Sequence, residues 1–121
     1  MNLSDTKQDI VQKALSFFNQ LDEGVLIVGR NKYGLSVARF LNDSGKKFYG
    51  FLDNAYNYGE YSAYQVFKPS DIVKPYSVIN CVVEGRSWDV QRWIYEMHPS
   101  ASTNYFALQL AFPDYLEPVE F

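Results

Sequence analysis

The fold is decided by the stretch "VLIVGRNKYGLSVARFLNDSGKKFYGFLDN", residues 25–54. It opens with a continuous apolar run of strand length, which is typical of a strand covered on both faces of a parallel sheet. Two glycines separated by four residues follow. Apolar residues then recur at helical spacing until "SG" at 44–45 provides a helix stop. A second strand, "KFYGFLD" (47–53), ends on an acid. The stretch therefore predicts a strand–turn–helix–strand unit.

The turn departs from the G-x-G-x-x-G pattern of dinucleotide-binding folds. There the first glycine makes the bend, the second admits a pyrophosphate, and the third lets the helix pack on the strand. Gly29 and Gly34 take the first and third places, and Asp53 stands where the pattern has its ribose-binding acid. Asn31 takes the second place; it tolerates left-handed φ, but its side chain occupies space where a phosphate would sit. Two interpretations stay open, because the helix N-terminus can still receive an anion, or the glycines serve chain geometry while Asp53 caps a loop.

Strands and helices alternate along the rest of the chain. This alternation predicts βαβ units and an α/β, Rossmann-like three-layer domain with a mainly parallel five-stranded sheet in the order 3-2-1-4-5. The other predicted elements are a helix over 5–21 capped by Ser4 or Asp5, a polar–aromatic loop over 54–65, a short strand and helix in "YQVFKPSDIV" (64–73), a strand in "YSVINCVV" (76–83), a helix over 88–98 capped by Ser87, and a last strand in "NYFALQL" (104–110).

This strand order places a ligand beyond the carboxyl ends of the strands, where the first and fourth parallel strands part. The loops "GRNKYG" (29–34) and "EGRSWD" (84–89) are expected to meet there. Of the two tryptophans, Trp88 in the first turn of its helix is the better candidate for ligand contact, and Trp93 is expected in the core. The predicted ligand-binding residues are Gly29, Arg30, Asn31, Lys32, Gly34, Asp53, Glu84, Arg86 and Trp88.

Composition narrows the classes of function. The net charge of −3 and the pI near 5.0 argue against nucleic acid as a partner. No apolar run approaches the ~20 residues needed to span a bilayer, and a single cysteine, Cys81, permits no intrachain disulfide, so a cytoplasmic protein is expected. His98 is the only histidine, so a transition-metal ligand set is not expected. No paired carboxylates or nucleophile-elbow serine are evident, and no catalytic residue is predicted.

The opening stretch, followed by "YQVFKPSDI" and "SVINCVVEGRSWDVQRWI", resembles the small Rossmann-like domain that precedes the catalytic part of FkbM-type methyltransferases. Similar domains begin certain sugar acyltransferases and nucleotide-sugar dehydratases. The ending "FLDN" (51–54) matches the family's "F-x-D" strand end, whereas Asn31 and the pair Tyr64 and Gln65 depart from family glycines and small residues.

The resemblance implies that residues 1–121 form a non-catalytic domain that binds a nucleotide or nucleotide-sugar. It implies a sugar- or polyketide-modifying parent enzyme that uses S-adenosylmethionine in a covalently linked catalytic domain. Residues 111–121 would then be a linker or docking tail.

Two other functions remain open. One is an NAD(P)-binding, oxidoreductase-like domain. The other is a ligand-free module in which a sheet edge, or the tyrosine-rich loop with Tyr56, Tyr58, Tyr61 and Tyr64, forms a homodimer.

Overall fold

In a computed structural model, the chain is described over residues 6–53, 59–72 and 75–119. Its helices are α1 (Lys7–Asn19), α2 (Lys32–Asp43), α3 (Ser87–Glu96) and α4 (Tyr105–Ala111), with a single 3₁₀ turn at Pro69–Asp71 in the described part. Its strands are β1 (Val25–Val28), β2 (Phe48–Leu52), β3 (Gly59–Tyr61), β4 (Tyr64–Phe67), β5 (Ser77–Asn80) and β6 (Ala101–Asn104).

The described strands form one sheet in the order β3-β4-β2-β1-β5-β6. All neighbouring pairs are parallel except β3 with β4, which is antiparallel. The five parallel strands therefore follow the order 3-2-1-4-5, and the predicted α/β fold is confirmed. The predicted loop over 54–65 contains the additional edge strand β3. β3 is connected to β4 by Ser62 and Ala63. Both residues have positive φ, as in the two-residue hairpin turns that match strand twist. Residues 54–58 of that loop lie outside the described part.

Helices cover both faces of the sheet. Successive residues of a strand point to opposite faces, so β1 contributes side chains to the core on each side. Val25 and Ile27 of β1 belong to the core cluster under α1, α2 and α4. Leu26 and Val28 belong to the cluster on the other face, which Ile94 of α3 completes. The predicted three-layer arrangement follows from this division, and it places α2 and α3 on opposite sides of β1.

The predicted strand at 104–110 is wrong, because α4 begins at Tyr105 and runs to Ala111. The Asn104 side chain accepts a 2.9 Å hydrogen bond from the Ala107 amide and so caps a helix. Tyr105 and Leu108, three residues apart, are its buried face. The last strand is instead β6, "ASTN", which pairs in parallel register with β5.

Two predicted helix starts also differ in detail. Thr6 caps α1 through a capping box with Asp9, while Ser4 and Asp5 lie outside the described residues. Ser87 is the first residue of α3 rather than its cap, a position held by Arg86.

The segment after α4 packs on the domain as far as Val119, where the described part ends. Leu116 is buried in the core. The Tyr105 hydroxyl donates to the Glu117 carbonyl, and the Glu117 amide donates to the Ser36 hydroxyl at 3.2 Å. Across the described ranges, no helix is long and apolar enough to cross a membrane.

Candidate ligand-binding site

Both glycines of the turn are required by close backbone contacts. Gly29 has a φ of +119°, and a Cβ there would lie 2.9 Å from the backbone carbonyl carbon of Cys81. A Cβ on Gly34 would lie 2.2 Å from the Gly29 oxygen, so α2 could not pack as closely on β1. The first and third glycines thus serve the chain geometry of the fold, with or without a ligand.

Asn31, at the place of the missing glycine, is the N-cap of α2. Its backbone is extended, with a φ of −147°, and not left-handed. Its Oδ1 accepts from the Gly34 amide at 2.9 Å, and its Nδ2 donates to the Cys81 carbonyl at 3.1 Å. The carboxamide oxygen therefore occupies a helix N-terminal donor that a phosphate would use in a dinucleotide site. The same side chain ties the turn to the end of β5.

Asp53 follows β2 and pairs with Arg30 of the turn. The distance between Arg30 Nη2 and Asp53 Oδ2 is 2.7 Å, and both side chains are 24% exposed. The Asp53 amide donates to the Phe67 carbonyl of β4 at 2.9 Å. The ion pair therefore links the carboxyl ends of β1 and β2, and its partial exposure leaves it in reach of a small molecule.

A cavity of about 440 Å³ lies beside this ion pair, within the size range of small-molecule sites. It opens at the carboxyl ends of β1 and β2, on the face of the sheet that α3 covers. The lining residues are Val28, Gly29, Arg30, Asn31, Leu52, Asp53, Val82, Arg86, Asp89, Val90 and Trp93.

Five of the nine predicted ligand-binding residues line this cavity, namely Gly29, Arg30, Asn31, Asp53 and Arg86. The other four, Lys32, Gly34, Glu84 and Trp88, do not.

Each of the four outside residues has another environment. The Lys32 ammonium lies 5.2 Å from the centre of the Tyr33 ring. Gly34 is buried against β1, and Glu84 is exposed. Trp88 is 78% exposed and lines a separate groove between α1, α3 and β6.

Trp93, which the sequence pattern assigns to the core, is the tryptophan at the cavity. It packs against the core cluster on the α3 side and also lines the cavity wall. Asp89 and Val90 line the same wall and were not among the predicted residues. The signal that would find them is helical spacing, because residues 86, 89, 90 and 93 fall on one face of a helix.

The cavity carries two arginines and two aspartates. Arg30 and Asp53 pair with each other on the wall formed by the strand ends. On the α3 wall, Arg86 and Asp89 are exposed, and neither forms an ion pair with another described residue. The site thus combines the Arg30–Asp53 ion pair, an aromatic side chain and a second cation, Arg86, that no carboxylate of the described residues neutralises by direct contact.

Cys81 lies next to the turn but is buried in the core. Burial raises the pKa of its thiol, which stays protonated at neutral pH. No group of three or more histidine, cysteine or acidic residues in the described ranges is arranged to hold a metal ion. The groups that face the cavity can donate and accept hydrogen bonds and stack on a ring.

Comparisons with protein-family models, curated proteins and solved structures find no match to this chain.

Proposed function

We propose that this chain is a non-catalytic domain that binds a nucleotide or nucleotide-sugar. The observation that carries the proposal is the cavity at the strand ends, where the Arg30–Asp53 pair, Arg86 and Trp93 face one space. The proposal that the domain serves a sugar- or polyketide-modifying FkbM-type methyltransferase rests on the sequence resemblance.

The lining suits the parts of such a ligand. A carboxylate accepts hydrogen bonds from two vicinal hydroxyls, and a guanidinium donates to ring and hydroxyl oxygens, so the Arg30–Asp53 pair suits a ribose or hexose. The Trp93 ring offers a surface on which a base or sugar ring can stack. Arg86 supplies positive charge for a phosphate. An ordinary dinucleotide fits the cavity less well, because Asn31 already caps α2 where the pyrophosphate would bind.

Thermal unfolding with added ligand tests the proposal. A ligand that binds only the folded state raises the midpoint by mass action, so a UDP-sugar should raise the midpoint, and NAD and S-adenosylmethionine should not. Asp53→Asn should abolish most of the shift, and the loss of its partly exposed ion pair with Arg30 should itself cost at most about 1 kcal/mol of stability. Asp22→Asn, an exposed aspartate outside the cavity, is the matched control. An equal shift in the wild type and Asp53→Asn, or no shift with any UDP-sugar, would refute the proposal.

A second candidate function, a dimerisation module, is favoured by a different surface. Trp88 and Tyr95 are 78% and 64% exposed, and both line the groove beside the edge strand β6. They stand seven residues apart on α3. Antiparallel contact between two α3 helices would therefore place each copy's Trp88 near the other copy's Tyr95, as a two-fold interface requires. Sedimentation analysis decides this: a dimer that Trp88→Ala dissociates supports the module, and a monomer at all concentrations rules it out.

A further inference from the structure

Of the two arginines that line the proposed nucleotide site, Arg86 on the α3 wall has no ion-pair partner among the described residues. We infer that the phosphate of the ligand binds Arg86 on the α3 side, while the Arg30–Asp53 pair holds the sugar hydroxyls. This rests on the proposed function and reverses the orientation in which a phosphate sits at the helix that follows β1. The ligand class is a phosphate ester of a sugar with neighbouring hydroxyls, such as a nucleoside monophosphate or a hexose phosphate.

The α2 wall is poorly equipped for a phosphate. The Asn31 oxygen holds the Gly34 amide, and Lys32 lies outside the cavity lining. The charge of Arg30 is already balanced by Asp53 at 2.7 Å. A phosphate placed there would meet the Asn31 side chain, which already holds one amide of the α2 N-terminus, and would compete with the Asp53 carboxylate for the Arg30 guanidinium.

The α3 wall, in contrast, presents a cation that a phosphate can bind. Arg86 is exposed at the cavity, and no described carboxylate lies within ion-pair distance of it. Its planar guanidinium matches two phosphate oxygens. Asp89 lines the same wall three residues further along α3, so its negative charge should oppose the phosphate that Arg86 attracts. Substitutions at these two residues should therefore change phosphate affinity in opposite directions.

The contribution of the contact between Arg86 and the phosphate is measured by the ratio of the affinities for a phosphorylated compound and for the same compound without its phosphate. Titration calorimetry with UMP and uridine, and with glucose 1-phosphate and glucose, gives the ratio for each source of phosphate. The wild type should bind the phosphorylated member about threefold to fivefold more tightly, as an exposed charge pair provides. Arg86→Gln should reduce the ratio to near one without changing the affinity for uridine or glucose. Asp89→Asn should increase the ratio, and added salt should reduce it in the wild type.

Arg92→Gln is the matched control, since Arg92 is an exposed arginine of α3 outside the cavity lining and should leave the ratio unchanged. If wild type and Arg86→Gln show the same ratio, the phosphate binds elsewhere and the inference fails, although the proposed function stands. If no member of either pair binds the wild type, the inference fails, and the thermal shift with a UDP-sugar decides the proposed function separately. A high ratio with UMP alone identifies a nucleotide as the ligand, and a high ratio with glucose 1-phosphate alone identifies a sugar phosphate; either supports the assignment of Arg86 when Arg86→Gln abolishes the high ratio.

Discussion

The Asn31 side chain and the Cys81 backbone form a 3.1 Å hydrogen bond that joins the β1–α2 turn to the end of β5. The oxygen of the same carboxamide caps α2 through the Gly34 amide. One polar side chain therefore fixes both the start of a helix and the spacing of two loops that border the cavity. Its position corresponds to the second glycine of a dinucleotide-binding turn, where a nucleotide site would have no side chain.

Asn31→Ala should destabilise the fold more than the loss of an ordinary helix cap. Loss of an asparagine cap costs about 0.5–2 kcal/mol. The partly buried Cys81 carbonyl would also lose its donor, which adds about 1–3 kcal/mol. Asn104→Ala is the control, because Asn104 caps α4 with one 2.9 Å bond and lies exposed. Urea unfolding should show the larger loss for Asn31→Ala; equal losses would mean that the bond to Cys81 contributes nothing.

The sequence predicts the parallel core of the fold because the strands "VLIV" and "SVIN" are buried on both faces and carry no competing signal. It does not predict β6, since "ASTN" is a partly exposed edge strand with neither an apolar run nor a clear alternation. The run "YFALQL" (105–110) is almost continuously apolar, and such a run fits a buried strand as well as a helix. The Asn104 cap, a local hydrogen bond from the Ala107 amide, decides between them.

The candidate site is predictable in outline only. Asp53 and the turn can be placed because both follow apolar strands. The partner of Asn31 lies 50 residues away, so no local pattern reveals that its side chain caps α2 and bonds Cys81. Trp93 lies at the border of the apolar face of α3, and only the packing of that helix shows that it meets the cavity.

Gly34→Ala should separate α2 from β1. The added Cβ would lie 2.2 Å from the Gly29 oxygen, a backbone atom that cannot move without distorting the turn. Overpacking of this kind costs about 1–3 kcal/mol, and a backbone contact places it at the upper end. Gly85→Ala is the control, because its Cβ meets no atom within 4 Å. A Gly34→Ala protein as stable as Gly85→Ala in thermal unfolding would contradict the packing described for this turn.

Tyr105→Phe should loosen the segment that follows α4. The Tyr105 ring is fully buried and packs at a tilt against the Tyr33 ring, and its hydroxyl donates to the Glu117 carbonyl. Without the hydroxyl, that carbonyl loses a partner at a cost of about 1–3 kcal/mol. Limited proteolysis should cut after α4 faster in Tyr105→Phe than in the control Tyr115→Phe, whose ring is exposed. Equal rates would show that the hydroxyl does not anchor the segment.

Tyr105 should also make the free energy of unfolding depend on pH in the alkaline range. Burial raises the pKa of Tyr105 to about 12, above its usual value of 10.0. The folded state therefore holds this proton more tightly than the unfolded state, and the associated stability is complete below pH 10.0. It is lost as the pH rises from 10.0 towards 12, the pKa in the folded state. The difference in unfolding free energy between wild type and Tyr105→Phe should shrink across that window; a constant difference would contradict the assigned burial.

Trp93, and not Trp88, should report ligand binding. The chain has two tryptophans, so Trp88→Phe leaves Trp93 as the single reporter, and Trp93→Phe leaves Trp88. Trp93 lines the cavity, whereas Trp88 is 78% exposed beside a separate groove. In Trp88→Phe, a UDP-sugar should change the tryptophan emission saturably and reduce quenching by iodide, because a ligand in the cavity covers the ring. The midpoint of the emission change should agree with the affinity measured by calorimetry.

Emission from Trp93→Phe should stay constant and remain readily quenched by iodide. A saturable change in Trp93→Phe, with none in Trp88→Phe, would place the ligand in the groove beside β6 and remove the cavity as the binding site.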